Sequence, residues 1–305
     1  MLSLHTNAAA LSAQNSISRT QSSLSTSMTR LSTGFRINSA MDDAAGLQIA
    51  TRLKTQTSGM NVAMRNTQNS ISLMQTSEGA LDETTNILNR MKDLATQAAD
   101  GSSTNADQTA MQKEFNSLSD ELSNIFNNTK FGGTSLLQKA AGTSPGKLSA
   151  AITFQIGASS GEKLSASFTA ELATASADIK LAATGFVDLG VAGAAAGTEI
   201  SDTATSSASV GATNANATID KLATAIDSVG ALRSKLGAVS NRLDHVYNNL
   251  SNISTNTKNA TGRIMDVDFA SESAQMTSSQ MLLQAGTAML KQSNSQSSLV
   301  MSLLQ

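Results

Sequence analysis

The chain has 305 residues, a net charge of −2, one Tyr, one Pro and neither Cys nor Trp, with a pI near 5.7. That length allows more than one domain. No Lys/Arg cluster offers the footprint a phosphate backbone needs, no apolar run reaches the roughly 18 residues of a membrane span, and disulfides and thiolate metal sites are removed. Aromatic side chains bury the most area each. A chain with 3% of them must bury many small aliphatic contacts along a long seam, which favours extended helices over a round domain.

From the N-terminus, Met1 to Arg19 lacks the basic start, apolar stretch and small-residue cleavage site of a secretory signal, which by itself points to the cytosol. Between Met1 and Thr29 the only fully charged side chain is Arg19, yet apolar residues recur at helical spacing: Leu4, Ala8 and Leu11, then Leu24, Met28, Leu31 and Phe35. A solvated helix fills its outer face with Lys and Glu; this one uses Ser, Thr, Gln and Asn. Burial among identical copies accounts for that, because a charge near a polymer axis recurs in every subunit and a buried unpaired charge is costly. Composition alone also allows a disordered terminus. Next come Asp42 and Asp43, followed by Ala44-Ala45-Gly46. Adjacent helix residues do not face each other, so the two acids read as a helix start at the positive dipole end rather than a catalytic pair.

Met60, Met64, Thr67, Ile71, Met74, Leu81, Leu88 and Ala95 keep a heptad frame, interrupted by Glu78 and Lys92. Met111, Phe115, Leu118, Leu122 and Ile125 continue the three-and-four spacing of a bundle helix. Arg90, Leu94, Gln97 and Glu114 read from the residues alone as a solvated face with one apolar contact. Thr129 to Ser135 and Pro145-Gly146 are turn chemistry. Ile152, Phe154 and Ile156, then Leu164, Ala166 and Phe168, alternate about a Gly-bounded turn and predict a β-hairpin. From about Ala192 to Ala217 the chain is nearly all Ala, Gly, Ser, Thr and Asn, which predicts an exposed loop open to insertion.

The longest unbroken seam is Leu232, Leu236, Val239, Leu243, Val246, Leu250 and Ile253. Between Ser273 and Gln305 the only charged side chain is Lys291, while Met276, Leu283 and Leu290 stand seven apart and Leu299, Val300, Leu303 and Leu304 cluster at the end. The fold class is therefore mainly α: a long antiparallel coiled-coil or helical-bundle core, N- and C-terminal helices paired, plus a small β-hairpin region. The expected divisions are terminal helices at 1–42 and 263–305, a bundle with hairpin at 43–168 and 218–262, and a short surface-exposed variable region at 169–217. His5 and His245 lack grouped partners, and Gly132-Gly133 lacks the Lys-Ser/Thr of a phosphate loop. No catalytic, cofactor or metal constellation is present in the sequence, so no enzyme is expected.

Four strings carry a family resemblance. LSTGFRINSAMDDAAGLQIATRL (Leu31 to Leu53), NRMKDLATQAADGS (Asn89 to Ser102), KFGGTSLL (Lys130 to Leu137) and GRIMDVDFASESAQMTSSQMLLQAGTAMLKQSNSQSSLVMSLLQ (Gly262 to Gln305) resemble, in order, the signatures of bacterial flagellins. The overall pattern is similar to the shorter, lateral-type members. The resemblance implies a self-polymerising filament subunit, exported unfolded by the flagellar type III apparatus to an extracellular filament. Its terminal helices would form the inner core and order on assembly, with the heptad helices in the outer core. Asp42-Asp43, with Asp266 and Asp268 on the return chain, would lie where these layers join. Implied partners are other copies, an export chaperone, the filament cap and the hook–filament junction proteins. A host flagellin-sensing Toll-like receptor would meet Arg90, Leu94, Gln97 and Glu114. Leu299, Val300, Leu303 and Leu304 would serve the chaperone, neighbouring subunits and a host inflammasome sensor in turn. Neither nucleic acid nor membrane is expected.

Overall fold

The computed structural model describes residues 7–138, 145–187, 197–202 and 207–303, with side chains as far as residue 295. In chain order its helices are α1 (Ala8–Thr33), α2 (Ala44–Ala98), α3 (Asn105–Asn128), α4 (Thr169–Ala182), α5 (Ala208–Met265) and α6 (Phe269–Leu303). Short strands β1 (Lys130–Phe131), β2 (Thr134–Ser135), β3 (Ile152–Gln155) and β4 (Lys163–Ala166) lie between α3 and α4. Two compact units result, Met1–Ser58 with Ile253–Gln305 and Gly59–Asn252. This division falls inside α2 and α5. The first turns of α2 pack with the residues ahead of them, Ile37 being buried close to Gly46.

Within Gly59–Asn252, one continuous core joins Ile71, Met74, Leu81, Leu88 and Ala95 of α2, Phe115, Leu122 and Phe126 of α3, Leu172, Ala175 and Ile179 of α4, and Leu222 to Leu243 of α5. Met60 and Ala63 pack on Leu250 in a second, smaller cluster. The heptad periodicity thus becomes a buried stripe, and Thr67, Ser77 and Thr84 occupy it too. Their hydroxyls donate to the backbone carbonyls of Ala63, Leu73 and Ala80 within the helix, so burial leaves no donor unpaired. α3 starts with a capping box, Thr104 and Asp107 satisfying each other's backbone N–H.

β1 and β2 pair antiparallel, Phe131 opposite Thr134. The two-residue turn places Gly132 at φ 56° and Gly133 at φ 81°, the doubly left-handed turn that suits hairpin twist and that glycine adopts without cost. β3 and β4 pair with Phe154 opposite Leu164 and Ile152 opposite Ala166, so alternate side chains face the core.

Within 169–217, where an exposed loop was expected over about 192–217, the structure places helices at both ends. Helix α4 buries Leu172, Ala175, Ile179 and Ala182, Phe186 meets Phe126 edge-to-face at 5.2 Å, and α5 already begins at Ala208. Ala-rich segments are good helix formers, and small side chains let helices approach closely. Parts of that stretch, 188–196 and 203–206, lie outside the described residues. The α5 seam is buried at Leu232, Leu236, Val239, Leu243 and Leu250 and half-buried at Val246, but Ile253 is 40% exposed while Ser254 is buried. A straight helix turns 3.6 residues per repeat against the 3.5 of a heptad, so the stripe drifts off the original face.

In the other unit, α1 packs against α6. The pair runs antiparallel: Asn7 donates to the Ser293 carbonyl at 3.2 Å near one end, and Arg30 faces Glu272 at 3.6 Å near the other.

Candidate assembly surface and joint

The α1–α6 pair is built differently from a protein core. The only buried residue of α1 is Ser27. Facing residues on α6 include Ser279, which is buried, and Gly286, where an added Cβ would come within 2.8 Å of Ile17 Cγ1. Met276, Leu283 and Leu290 are half-buried, and these heptad positions alternate with small ones, which lets two backbones approach.

Large apolar side chains point elsewhere. Leu11 is 63% exposed and Met289 67%, and Met28, Phe269, Met281 and Leu282 are likewise more than half exposed. Of the apolar positions read along α1 as one stripe, Ala8, Leu11, Met28 and Phe35 therefore lie off the α6 contact, whereas Leu24 and Leu31 are half-buried. Leu4 lies outside the described residues. The threonines of these helices donate to their own backbone, Thr20 to the Ser16 carbonyl, Thr29 to that of Ser25 and Thr277 to that of Ser273, each at 2.9 Å. These threonine hydroxyls are thus satisfied within their own helix. The exposed apolar side chains are the candidate contact surface of the pair.

Both chain crossings of this unit are tied together by backbone. Gly34 ends α1 at φ 76°. Arg36 N donates to the Met265 carbonyl at 2.6 Å and Val267 N to the Gly34 carbonyl at 3.0 Å, an antiparallel bridge of Phe35 with Asp266. The Arg36 guanidinium adds a bond to the Ile264 carbonyl at 2.9 Å. Asp42 and Asp43 have separate duties. Asp43 Oδ1 accepts from Gly46 N at 2.8 Å and so caps α2. Asp42 accepts from the N–H groups of Asn38 and Ser39 and from the Ser39 hydroxyl. The Ser39 and Asn38 backbone bonds hold its carboxyl below the ordinary value, helped by the Ser39 hydroxyl and Arg30. On the return chain Asp268 Oδ1 accepts from Ala270 N at 3.1 Å at the start of α6. Gly46 leaves the room this capping contact uses: an added Cβ would sit 2.4 Å from Asp43 Oδ2 and 2.9 Å from Ile37 Cδ1, so those side chains would have to shift.

The second group of singled-out residues lies in Gly59–Asn252. Arg90 makes a two-nitrogen contact with Glu114, 2.9 Å from Nε and 2.7 Å from Nη2, and Gln97 is exposed. Leu94 is not with them at the surface. It is 2% exposed and belongs to the core, because Ile87, Met91, Leu94 and Ala98 form the inward stripe of α2. The apolar anchor beside Arg90 is thus absent in this state. The backbone of α6 continues helically through Leu299, Val300 and Leu303, but their side chains, and Leu304 entirely, lie outside the described residues.

Three buried polar residues, Gln108, Gln112 and Glu199, lie outside the groups marked by the sequence. Gln108 Nε2 donates to the Ala98 and Ala208 carbonyls, both at 3.0 Å, joining the end of α2 to the start of α5. Gln112 Nε2 donates to Glu199 at 2.8 Å while its Oε1 accepts from Ile200 N at 2.8 Å. Glu199 also accepts from Thr184 N at 2.7 Å. Only their positions on the stripe, at 108, 112, 115 and 119, mark the two glutamines as inward. Among the described residues no group of three or more His, Cys, Asp or Glu could hold a metal ion, and no helix is long and apolar enough to cross a membrane.

Comparison with known proteins gives matches at both ends. Residues 4–141 match the family model described as the bacterial flagellin N-terminal helical region, and residues 219–304 match the one described as the bacterial flagellin C-terminal helical region. Polar flagellin F of Vibrio parahaemolyticus is 51% identical over 161 residues, 53% of this chain and 41% of that protein. B-type flagellin of Pseudomonas aeruginosa is 48% identical over 163 residues, 53% of this chain and 32% of that protein. The chain therefore spans less than half the length of these relatives. A crystal structure of Bacillus cereus flagellin is 32% identical, covering 61% of this chain and 88% of that one with a TM-score of 0.46.

Proposed function

Because the chain belongs to the bacterial flagellin family, we propose that it is the structural subunit of an extracellular flagellar filament, a self-polymerising propeller with no reaction to catalyse. The observation that carries this reading is the α1–α6 pair, poor in charge and in buried side chains yet exposing Leu11, Met28, Phe269, Met281, Leu282 and Met289. Repeated head-to-tail contacts between identical surfaces grow a helix when the rotation does not close a ring. In that assembly the α1–α6 pair lines the inner tube and orders fully when neighbouring copies cover it. Leu299, Val300, Leu303 and Leu304 supply the terminal contact, first to an export chaperone and then to adjacent subunits. The chain leaves the cell unfolded through the flagellar type III apparatus, and grows between the hook–filament junction proteins and the filament cap.

Electron microscopy of the heat-dissociated protein after seeding with short filament fragments tests the reading. Long filaments of uniform diameter are expected, and a chain lacking residues 299–305 is expected to remain soluble. Failure of the intact chain to elongate under varied salt and seeding would favour a junction protein instead.

The same reading extends to host sensing. Arg90, Gln97 and Glu114 offer an exposed polar face to a flagellin-sensing Toll-like receptor, and the C-terminal apolar cluster is the contact for an inflammasome sensor. With Leu94 in the core, the receptor contact rests on the charged groups. Arg90→Ala is expected to reduce receptor activation at least tenfold, about 1.4 kcal/mol, in a reporter-cell assay; unchanged activation would remove this part of the proposal.

A further inference from the structure

Among the described residues four methionines stand more than half in solvent: Met28, Met41, Met281 and Met289. Their distribution is uneven. Met60, Met74 and Met91 are buried in Gly59–Asn252, whereas Met28 lies on α1 and Met281 and Met289 on α6. Together with Leu11, Phe269 and Leu282 these three make up the large apolar side chains that the pair leaves more than half exposed. Met289 follows Leu282 by two turns and shares its face of α6, and Met281 adjoins that face. Met41, 97% exposed, sits in the connection ahead of α2 and belongs to neither helix.

A thioether is an apolar group that a mild oxidant makes polar. A sulfur lone pair attacks one oxygen of hydrogen peroxide, the O–O bond breaks and an S–O bond forms. The other oxygen leaves as hydroxide and takes the proton from the transferred one. The products are a sulfoxide, its sulfur oxidised by two electrons, and water. The rate follows access, so sulfur packed inside a close-packed core is shielded. The side chain keeps its length but gains a strong acceptor, and burying such a group without a donor is costly. A surface built on leucine alone would lack this sensitivity.

We propose that Met28, Met281 and Met289 are a peroxide-sensitive modification site of the unassembled chain, and that their conversion to sulfoxides withdraws the α1–α6 surface from contact with other copies. The consequence for contact rests on the filament reading; the site itself does not. In a filament the same three side chains are covered, so assembly protects them and oxidation selects chains that have not yet joined.

Peptide mass mapping after brief hydrogen peroxide treatment of the soluble full-length chain tests the site. Sulfoxide is expected at Met28, Met41, Met281 and Met289 at least about tenfold sooner than at Met60, Met74 and Met91. Methionines of α1 and α6 as slow as those of the core would overturn it. Seeded elongation tests the consequence. The oxidised chain is expected to elongate at least about tenfold more slowly, equivalent to about 1.4 kcal/mol. Treatment with methionine sulfoxide reductases for both sulfoxide epimers is expected to restore it. Met28→Leu, Met281→Leu and Met289→Leu combined, each a volume-conserving swap, are expected to keep elongation and remove its sensitivity to peroxide, whereas Met41→Leu leaves it sensitive. Sensitivity that survives the combined change, or that vanishes with Met41→Leu, overturns the proposal. If the combined variant does not elongate, reductase rescue of the oxidised Met41→Leu chain decides, and its absence overturns the proposal. Failure of the unoxidised parent to elongate counts against the filament reading, and the sulfoxide map then judges the site.

Discussion

The two units use the same kind of helix for opposite ends. In Gly59–Asn252, Phe115, Phe126, Phe168 and Phe186 are fully or almost fully buried, and the buried hydroxyls of Thr67, Ser77 and Thr84 find partners inside the chain. In the α1–α6 pair the buried residues among those described are serines, Ser27 and Ser279, and Leu11, Met28, Met281, Leu282 and Met289 face outward. Helical periodicity alone does not distinguish these cases. Stability comes from what a face packs against, so the first unit carries its own core, whereas the second leaves its apolar area for another surface to cover.

The largest expected effect breaks the self-contained side of this contrast. Phe126→Ala removes the edge-to-face partner of Phe186 and is expected to cost about 3–5 kcal/mol, read as a large drop in the thermal midpoint of the soluble chain. Leu236→Ala, a fully buried seam residue, is expected to follow at about 2–5 kcal/mol; a midpoint within a degree of the parent would mean that α5 faces another way. Smaller is Gly46→Ala at the joint. The new Cβ displaces the Asp43 carboxylate from its capping position, so the loss is that of a helix cap, about 0.5–2 kcal/mol. Exchange at the Gly46 and Leu47 amides locates it.

An acid limb sharpens the comparison further. Glu171 of α4 accepts from Lys235 Nζ of α5 at 2.6 Å. That bond, then a backbone N–H bond and the lysine charge, hold its carboxyl below its ordinary value of 4.5, against the opposing effect of burial. A folded-state value below the unfolded one means that the unfolded chain binds the proton first. The contribution is therefore present above pH 4.5 and lost as pH falls through the folded value. Glu171→Gln is expected to flatten this part of the acid melting curve by no more than about 1 kcal/mol, since both side chains are partly solvated. The smallest effect on melting is expected from Leu11→Ser or Met289→Ser, within about 0.5 kcal/mol. The same variants are expected to abolish seeded elongation, which separates a surface for partners from a core. A variant that melts early instead would place that side chain in an intramolecular contact.

Much of the fold was legible because its signals are local. Period-three-and-four spacing between Met60 and Ala95, alternation at Ile152–Ile156 and Leu164–Phe168, and the Gly132-Gly133 turn each depend on residues close in sequence. The α4 helix was not read from the sequence: Leu172, Ala175, Ile179 and Ala182 stand at helical spacing, but the small-residue composition around them masked it. The assembly surface was legible only as missing charge. Which apolar residues face out could not follow, since Leu11, Met28, Leu24 and Leu31 all lie at helical spacing and only the position of α6 sorts them.

Sequence by itself therefore determined the elements, their direction-reversing turns and the family to which the chain belongs, all of which rest on local sterics and periodicity. The tertiary structure decided which faces meet. It took Leu94 from a supposed surface into the core, put Gln108, Gln112 and Glu199 inside, exchanged Ile253 for Ser254 and set Arg30 between two carboxylates far apart in the chain. The physical reason is that burial is a property of a pair of surfaces, and a sequence specifies each surface without naming the one it meets.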